Sequence, residues 1–308
     1  MNDTGQNIHA SKRPPADRPI DVSGVRITHP GRVVYPDDGI TKGEVAAYYA
    51  AVADWILPEI INRPLSMVRC PGGTDSACFF QKHHAAKLGS SVRPIPLEEK
   101  GGGEDDYVYI RDRKGLLQLV QMNTIEFHPW GSRVDKPDAP DRIVLDLDPA
   151  PGVAWEAVVE GARGIRDLLD GMKLASFVRT SGGKGLHVVV PFRRGPDWQA
   201  VKDFCERVAD TMVERAPDRY IATASKAQRE GKIFIDWLRN ARGATSVCSW
   251  SLRAREGAPV AMPLRWDELG KVGGGAAFGM QAAIARARSL KADPWEGMAR
   301  LQQRLPKG

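Results

Sequence analysis

The sequence predicts an α+β protein whose second half folds as a β-α-β-β-α-β unit. From residue 142 onward, short apolar runs rich in β-branched residues alternate with two longer segments of helical periodicity. A glycine-rich stretch at 181–185 separates the second and third of these strands, as expected for a hairpin. In such a split βαβ unit, also called ferredoxin-like, the first strand lies between the third and the fourth. The pattern therefore predicts which strands are neighbours.

The first half of the chain predicts a smaller α/β module. Residues 1–21 are rich in proline and charge and almost free of apolar side chains, which predicts a disordered leader or linker. Thr41 and Glu44 have the spacing of a capping box, so a helix is expected to begin there and to continue to Pro58. The other predicted elements are strands at 65–70, 77–81, 107–111 and 124–128, a helix at 115–123 and an exposed loop at 100–106.

In the second half, strand and helix periods follow one another in order. Pro149 ends the first strand of this half because proline has no N–H to donate to a sheet. The predicted strands are at 142–148, 174–180, 186–191, 232–238 and 249–255, the helices at 154–170, 197–214 and 276–290, and a glycine linker at 273–275. The predicted domain covers 22–290, with an N-terminal α/β module at 22–140, a catalytic module at 141–270 and a tail at 291–308.

Composition places the chain among soluble globular proteins. Of its 308 residues, 42% are hydrophobic and 27% charged, and no apolar run approaches the roughly 18 residues of a membrane span. We therefore expect a cytoplasmic protein with no membrane partner. The net charge of +6 and the pI near 9.2 favour an anionic partner, without distinguishing nucleic acid from other anions.

The four cysteines form no C-x-x-C pair, which predicts a reduced setting without a disulfide framework. One alternative is a zinc site. Cys70, Cys78, His83 and His84 could close around zinc, but the seven residues between the cysteines are unlike the short ligand spacings of structural sites.

Two acids at the end of the first strand of the second half are the strongest functional signal. Asp146 and Asp148 project from the same face of a strand, with Cα atoms about 7 Å apart. Two such carboxylates repel each other, and a divalent metal ion between them would stabilise both. The alternative is structural: Asp148 could cap the following helix.

A third acid strengthens the metal hypothesis. Asp236 interrupts an otherwise apolar strand, where an unpaired charge is costly. Because the predicted topology places this strand beside Asp146, the three carboxylates suit a two-metal phosphoryl-transfer centre. The alternative is that Asp236 forms a structural ion pair with Arg239 or Arg242.

The hairpin turn between the second and third strands adds possible phosphate ligands. Ser181, Lys184 and His187 lie in or beside a glycine-rich turn, where the backbone can approach a phosphate closely. The turn does not match a Walker A motif, and taken alone it is weak evidence. Further cations lie downstream at Arg229, Arg239, Arg253 and Arg255. A guanidinium could bind phosphate through its rigid fork of donors, and the alternative is that these arginines are solvated surface.

Together, Asp-Leu-Asp, Ser-Gly-Gly-Lys-Gly-Leu-His and Ile-Asp-Trp, in this order, resemble the motifs of the archaeo-eukaryotic primase superfamily. Within it, the chain is similar to the polymerase domains of the bacterial end-joining ATP-dependent DNA ligases over residues 22–290. The resemblance implies a primase-like fold, in which an RRM-like βαββαβ catalytic module packs with an N-terminal α/β module. It also implies a nucleotidyltransferase that uses two Mn2+ or Mg2+ ions and adds NTPs or dNTPs to primer 3′ ends.

The resemblance also implies roles for individual residues. Those expected to hold the metals are Asp146, Asp148 and Asp236, and those expected to bind the nucleotide are His128, Ser181, Lys184, His187, Arg229, Arg239 and Arg253. The residues expected to contact DNA are His29, Arg32, Lys42, Phe79, Phe80 and Lys82. Of these, the two phenylalanines would stack on a template base and Lys42 would bind a downstream 5′-phosphate. His29 and Arg32 stand where relatives can carry Asn and Lys, a departure at the phosphate site.

The same resemblance implies partners. DNA with gaps or broken ends, a 5′-phosphate and nucleoside triphosphates would be bound directly, and a ligase and a Ku-type protein would act in the same repair pathway. No K-x-D-G motif occurs, so we expect the ligase activity on another chain or domain. The alternatives are a primase that starts chains de novo, a glycosyltransferase using Asp-x-Asp, which predicts a parallel sheet, and a non-catalytic DNA-end binding module.

Overall fold

The computed structural model describes residues 18–85, 88–99 and 101–306; most of the predicted leader lies outside these ranges. The helices are α1 Lys42–Ala51, α2 Ala53–Ile60, α3 Arg113–Gln121, α4 Trp155–Gly171, α5 Trp198–Arg215 and α6 Met280–Ser289. The strands are β1 Ile20–Val22, β2 Val25–Ile27, β3 Val33–Tyr35, β4 Ile40–Thr41, β5 Leu65–Arg69, β6 Phe79–Gln81, β7 Val92–Glu98, β8 Glu104–Ile110, β9 Thr124–Pro129, β10 Arg142–Pro149, β11 Phe177–Thr180, β12 Leu186–Pro191, β13 Tyr220–Ile221, β14 Ile233–Asp236 and β15 Pro263–Leu264.

The second half forms a six-stranded sheet in the order β13-β14-β10-β12-β11-β15. Strand β10 lies between β12 and β14, so the predicted β-α-β-β-α-β topology is confirmed. Helices α4 and α5 pack on one face, where Leu145 and Leu147 of β10 are fully buried. Because successive side chains alternate, Asp146 and Asp148 lie on the opposite face, away from those helices. The β10–β12, β10–β14 and β11–β12 pairs are antiparallel, which contradicts the glycosyltransferase alternative.

The first half is built on a second sheet, in the order β6-β5-β8-β7, with β9 also paired to β5. Thr41 caps α1 in the predicted box, since its hydroxyl accepts from the Glu44 N–H and its own N–H donates to the Glu44 carboxylate. The prediction of one helix to Pro58 is wrong. The chain leaves helical geometry at Val52 and starts α2. Val52 is fully buried, and no glycine or proline marks the break in the sequence.

Two other predicted elements differ from the structure, and one strand was not predicted. Residues 249–255 do not form a strand, because Trp250 has a φ of +66°, which turns the chain and leaves one isolated bridge at Leu252. The predicted loop at 100–106 is shorter, since Glu104–Asp106 already belong to β8. Its partner β7 was missed because Pro94 and Pro96 weaken the strand signal; β7 is an edge strand, where proline is tolerated.

The expectation of no disulfide is wrong, because Cys70 and Cys78 are disulfide-bonded. They follow and precede the paired residues Arg69 and Phe79 of β5 and β6, which brings their Cα atoms to 4.3 Å. The sequence alone did not reveal that this hairpin brings the two cysteines together. The bond also removes both thiols from the zinc alternative.

One set of buried apolar side chains extends from Val25 to Ala287 and includes residues of both halves. The module boundary near residue 140 stays a prediction. In the ranges that the structure describes, no helix combines the length and the apolar character needed to cross a bilayer.

Candidate active site

Three acids meet on the open face of the six-stranded sheet. The register of β10 and β14 places Asp146 directly opposite Asp236, and Asp148 lies two residues further along the same face of β10. Directly opposed residues project side by side, with Cβ atoms about 5 Å apart. The neighbouring strands therefore bring together the three carboxylates that lie far apart in sequence.

The electrostatic environment of Asp146 and Asp236 is unfavourable to their negative charges. Burial, together with the nearby Asp236 and Asp148, raises the pKa of Asp146 to about 7, although Arg239 opposes the shift. Burial also raises the pKa of Asp236. The Arg239 Nε lies 3.0 Å from Asp236 Oδ2 and 3.9 Å from Asp146 Oδ2, so one guanidinium only partly compensates these two acids. A divalent cation would relieve this repulsion.

Both structural alternatives for these acids can now be judged. The helix-cap alternative is wrong, because the N-cap of α4 is Ala154 and no side chain caps that helix. The predicted ion pair of Asp236 is present with Arg239, whereas Arg242 instead binds Asp138 at 2.6 Å. That pair does not exclude a metal site, since Arg239 lies about half exposed at its edge.

The donor set fits Mn2+ or Mg2+, which prefer carboxylate oxygens. The three acids do not by themselves converge on a single point. Asp148 Oδ2 lies 3.5 Å from Arg229 Nη1, and among the described residues the three acids are not a group with all ligand atoms within 4.8 Å of one another. The positions are suited to metal binding, and the ions themselves stay a proposal.

Among the described residues, His83, Glu99 and Asp105 do have ligand atoms within 4.8 Å of one another. They lie away from the three acids, and ion pairing explains why they cluster. His83 contacts Glu99 at 2.8 Å through Nε2 and Asp105 at 3.0 Å through Nδ1, so its two nitrogens serve different acids. Lys82 Nζ donates to both oxygens of Glu99, at 2.7 and 2.9 Å. Lys82, predicted to contact DNA, is thus already paired with a carboxylate.

The glycine turn is ordered by its own serine. The Ser181 hydroxyl accepts hydrogen bonds from the N–H groups of Gly183 and Gly185, both at 3.2 Å, and Gly182 takes a left-handed φ of +64°. Lys184 projects from this turn and is exposed. The turn thus presents the exposed ammonium of Lys184 from a backbone that its serine holds in place.

Close packing explains two glycines at this turn. A Cβ on Gly185 would overlap the carbonyl oxygen of Leu147, between the two acids of β10. The predicted linker at 273–275 lies outside the helices and strands, and its last glycine packs against the turn: a Cβ on Gly275 would lie 2.6 Å from the Lys184 carbonyl carbon. Gly275 therefore lets two backbones touch, whereas an added Cβ on Gly273 or Gly274 would have no neighbour within 4 Å.

His187 lies in the same row as the acids. Its register partner on β10 is Asp146, and its Nε2 lies 3.5 Å from Asp146 Oδ1. Burial lowers the pKa of His187 well below its usual value, and Arg179, Arg253 and Arg239 lower it further. The ring is therefore neutral near pH 7.

Arg253 and His128 meet through an acid that sequence reasoning missed. Glu126 Oε2 lies 2.8 Å from His128 Nε2 and 3.0 Å from Arg253 Nε. Although burial alone would raise the pKa of Glu126, His128 and Arg253 lower it to about 2. Arg253 also donates to the Ser181 carbonyl at 2.6 Å. The sequence signal that could have identified Glu126 is strand alternation, which places Glu126 and His128 on one face of β9.

The predicted stacking pair is exposed. Phe79 and Phe80 of β6 keep 44% and 57% of their surface accessible, so neither is packed in the core. The Phe80 ring lies edge-on to His128, with centroids 5.8 Å apart. The guanidinium of Arg69 lies 5.3 Å from the centroid of Phe79. Phe80 therefore lies next to a residue that is expected to bind the nucleotide.

Lys42 and Arg32 lie together at the start of α1. Lys42 is only 4% exposed, and its ammonium donates to Gln121 at 2.9 Å. Burial, with a smaller contribution from Arg32, lowers the pKa of Lys42 to about 8. The backbone joins these residues, since the Lys42 N–H donates to the Arg32 carbonyl and the Arg32 N–H to the His29 carbonyl. The cluster is cationic, but its lysine is less accessible than the sequence suggested.

Comparison with known proteins identifies the family of the chain. A family model described as "LigD, primase-polymerase domain" matches residues 41–295. The chain is 39% identical over 285 residues to the multifunctional non-homologous end joining protein LigD of Pseudomonas aeruginosa, covering 92% of this chain and 34% of that protein. It is 27% identical over 248 residues to the bifunctional LigD protein of Bacillus subtilis, covering 80% of this chain and 39% of that one. The chain thus spans little more than a third of either relative.

The fold has a counterpart among solved structures. The polymerase domain of Mycobacterium tuberculosis ligase D, solved in complex with DNA, superimposes with a TM-score of 0.82 at 30% sequence identity. The match covers 89% of this chain and 97% of that one. The predicted fold class is thereby confirmed.

Proposed function

Since the chain belongs to the LigD primase-polymerase domain family, a family of nucleotidyltransferases, we propose that it extends DNA 3′ ends at gaps and broken ends. The substrates would be NTPs or dNTPs, and the setting would be non-homologous end joining of double-strand breaks. The row Asp236–Asp146–His187 across three neighbouring strands is the observation that carries this proposal. It combines acids for metal ions with a histidine and a phosphate-binding turn at one place.

The acids and the turn have separable roles. Asp146, Asp148 and Asp236 would hold two Mn2+ or Mg2+ ions, which when bound lower the pKa of an attacking 3′-hydroxyl and neutralise the leaving pyrophosphate. Lys184 is exposed at the turn and would bind phosphate oxygens as a mobile charge. Ser181, whose hydroxyl holds the turn's backbone N–H groups, would fix the shape of that turn.

The arginines add directional donors to the same site. Arg253 is held by Glu126 and the Ser181 carbonyl, so its guanidinium is oriented before a nucleotide arrives. Arg229 stacks on Phe234 at 3.7 Å. We propose that these two residues and Arg239 bind the triphosphate, as positioning and charge neutralisation dominate phosphoryl transfer. His128 would contact the nucleotide sugar.

The first half would bind DNA. Phe79 and Phe80 are exposed for stacking on a template base, an interaction of about 1–3 kcal/mol per base. His29, Arg32 and Lys42 would bind a downstream 5′-phosphate at the start of α1. Gln121, the partner of Lys42, lies just before β9, and His128 lies near the end of that strand. Strand β9 therefore links the proposed phosphate and nucleotide sites.

A ligase and a Ku-type protein are the partners proposed for the pathway.

The proposed activity can be tested by extension of a gapped duplex that carries a 5′-phosphate at the downstream strand. We expect addition of nucleotides to the primer with Mn2+ or Mg2+, measured separately with NTPs and dNTPs. Synthesis on bare single strands without a primer would instead indicate a de novo primase. Tight binding of DNA ends with no labelled nucleotide incorporated under any metal condition would indicate a non-catalytic binding module.

Recognition of the 5′-phosphate is expected to weaken at alkaline pH. Because the Lys42 pKa is about 8, the lysine is a cation below that pH and loses its proton above it. We expect the preference for a 5′-phosphorylated over a 5′-hydroxyl duplex to fall by up to about tenfold per pH unit above 8, as binding then requires uptake of a proton. Competition binding from pH 7 to 10 measures this preference.

A matched pair of variants identifies the titrating group. Lys42→Met should lower the phosphate preference and flatten its pH profile, whereas Lys114→Met, at an exposed lysine of α3, should leave both unchanged. An unaltered pH profile in the Lys42 variant would show that another group determines recognition.

A further inference from the structure

Arg179 lies at the end of the row that carries the acids. The β11–β12 register places Arg179 opposite His187, and the β12–β10 register places His187 opposite Asp146. Side chains opposite one another share a face, so Arg179, His187, Asp146 and Asp236 form one continuous line across four strands. Only 2% of Arg179 is exposed, which excludes a direct role at the open surface.

Arg179 contacts one residue of the row, His187, and one residue outside it, Glu59. Its Nε donates to His187 Nδ1 at 3.1 Å, and its Nη1 donates to Glu59 Oε2 at 2.9 Å. Glu59, on α2, is also buried. Burial alone would raise its pKa, but Arg179 and Arg142 lower that pKa below its ordinary value, so Glu59 is ionised. Two hydrogen bonds from separate nitrogens of one planar group leave Arg179 little freedom to rotate.

These contacts determine where the proton of His187 lies. A guanidinium can only donate hydrogen bonds, so the Nδ1 that faces Arg179 must present a lone pair. A neutral imidazole with an unprotonated Nδ1 carries its hydrogen on Nε2. A doubly protonated ring would instead place an N–H of His187 against the N–H of Arg179. The Nε2 faces the side of Asp146, at 3.5 Å from its Oδ1.

We propose that Arg179, held by Glu59, is a positioning residue that fixes His187 in its Nε2–H tautomer and thereby points a hydrogen-bond donor at the nucleotide site. The value of that donor for the triphosphate rests on the proposed function. The tautomer itself follows from the buried contacts, and it is present before any nucleotide binds. Glu59 therefore acts on the site through two intervening side chains.

Nitrogen-15 NMR of the nucleotide-free, histidine-labelled chain tests this inference, with the His187 signals assigned by their loss in His187→Gln. We expect an unprotonated Nδ1 and a protonated Nε2 in the wild type. In the double variant Glu59→Gln, Arg179→Met, which removes both buried charges together, we expect a substantial population of the Nδ1–H tautomer. Arg179→Lys keeps a cation beside Glu59 and is the variant to use if the double variant does not fold. One ammonium cannot reproduce the two guanidinium hydrogen bonds, to Glu59 and to His187, so we expect the same mixture of His187 tautomers.

The matched control is Arg63→Met with Asp141→Asn. Arg63 is also fully buried and also pairs with a carboxylate, at 2.7 Å, but it has no contact with His187. We expect its His187 spectrum to equal that of the wild type. A wild-type ring with its proton on Nδ1, or an unchanged His187 spectrum in folded Arg179 variants, would overturn the inference.

Kinetics then separate positioning from a general loss of structure. Loss of one hydrogen bond to the bound nucleotide should raise the nucleotide KM about tenfold in the Arg179 variants and leave kcat nearly unchanged. The Arg63 control should change neither. Because the spectra are recorded without nucleotide, a chain that adds no nucleotides would refute the proposed function while the spectra still decide the tautomer.

Discussion

Replacing Asp146 by asparagine is expected to lower nucleotide addition by at least about a thousandfold. Asp146 is the central acid of the row, with Asp236 beside it on β14 and His187 beside it on β12. An amide can neither hold a divalent cation as a carboxylate does nor balance its charge. A loss of about 4 kcal/mol in stabilisation of the transition state corresponds to this factor. Single-turnover extension of a gapped duplex, at saturating Mn2+ and nucleotide, measures the chemical step.

The same substitution should not destabilise the fold. Burial and two neighbouring acids raise the pKa of Asp146 to about 7, so its carboxylate is an unfavourable charge at pH 8 in metal-free buffer. Asparagine keeps the shape and removes that charge. We therefore expect a Tm equal to or above that of the wild type, together with unchanged binding of DNA.

An exposed acid provides the control for Asp146. Asp167→Asn, on the outer surface of α4, should retain both activity and Tm. If Asp146→Asn retained extension activity, the assignment of this acid to the metal site would be wrong. If Asp146→Asn lost its activity together with its fold, Asp148→Asn would be the variant that tests whether the carboxylates are needed for activity. The Asp148 side chain is about half exposed, so its replacement should leave the fold intact.

The main features of the fold and of its acidic face were predictable because they depend on local periodicity. Strand period 2 puts Asp146 and Asp148 on one face, and the β-α-β-β-α-β order alone puts the strand of Asp236 beside them. The strand order thus predicted that three acids far apart in sequence lie close together in the fold. The helix limits near residues 155–171 and 198–215 also follow from regular apolar spacing.

The positioning residues could not be predicted because their partners are set by packing between elements. Glu59 lies 120 residues before Arg179 in sequence, and nothing near either residue signals that they meet. Glu126 was missed for a similar reason: its partner Arg253 lies in a segment that was predicted to be a strand and is not. Turns with positive φ at non-glycine residues, such as Trp250, leave no clear pattern in the sequence. Tertiary contacts of this kind determine which polar residues become part of a site.

The second large effect is expected at a residue with no side chain. Gly185 lies between the nucleotide turn and β12, and a Cβ there would overlap the backbone carbonyl oxygen of Leu147. Leu147 separates Asp146 from Asp148, so any shift that makes room for a methyl group must move the acids themselves. Neither backbone can give way as a flexible side chain would. Gly185→Ala should therefore push β10 and β12 apart at the site.

We expect Gly185→Ala to lower kcat about a hundredfold, because a displacement of about 1 Å at a reacting centre has effects of this size. Overpacking of this kind should also cost about 1–3 kcal/mol of stability, seen as a lower Tm. Gly195→Ala is the matched control, since that glycine has an ordinary φ and no atom within 4 Å of the added methyl group. It should preserve activity and Tm. Full activity in Gly185→Ala would mean that the site tolerates movement of β10, and the position of the acids would then not depend on contact between these two backbones.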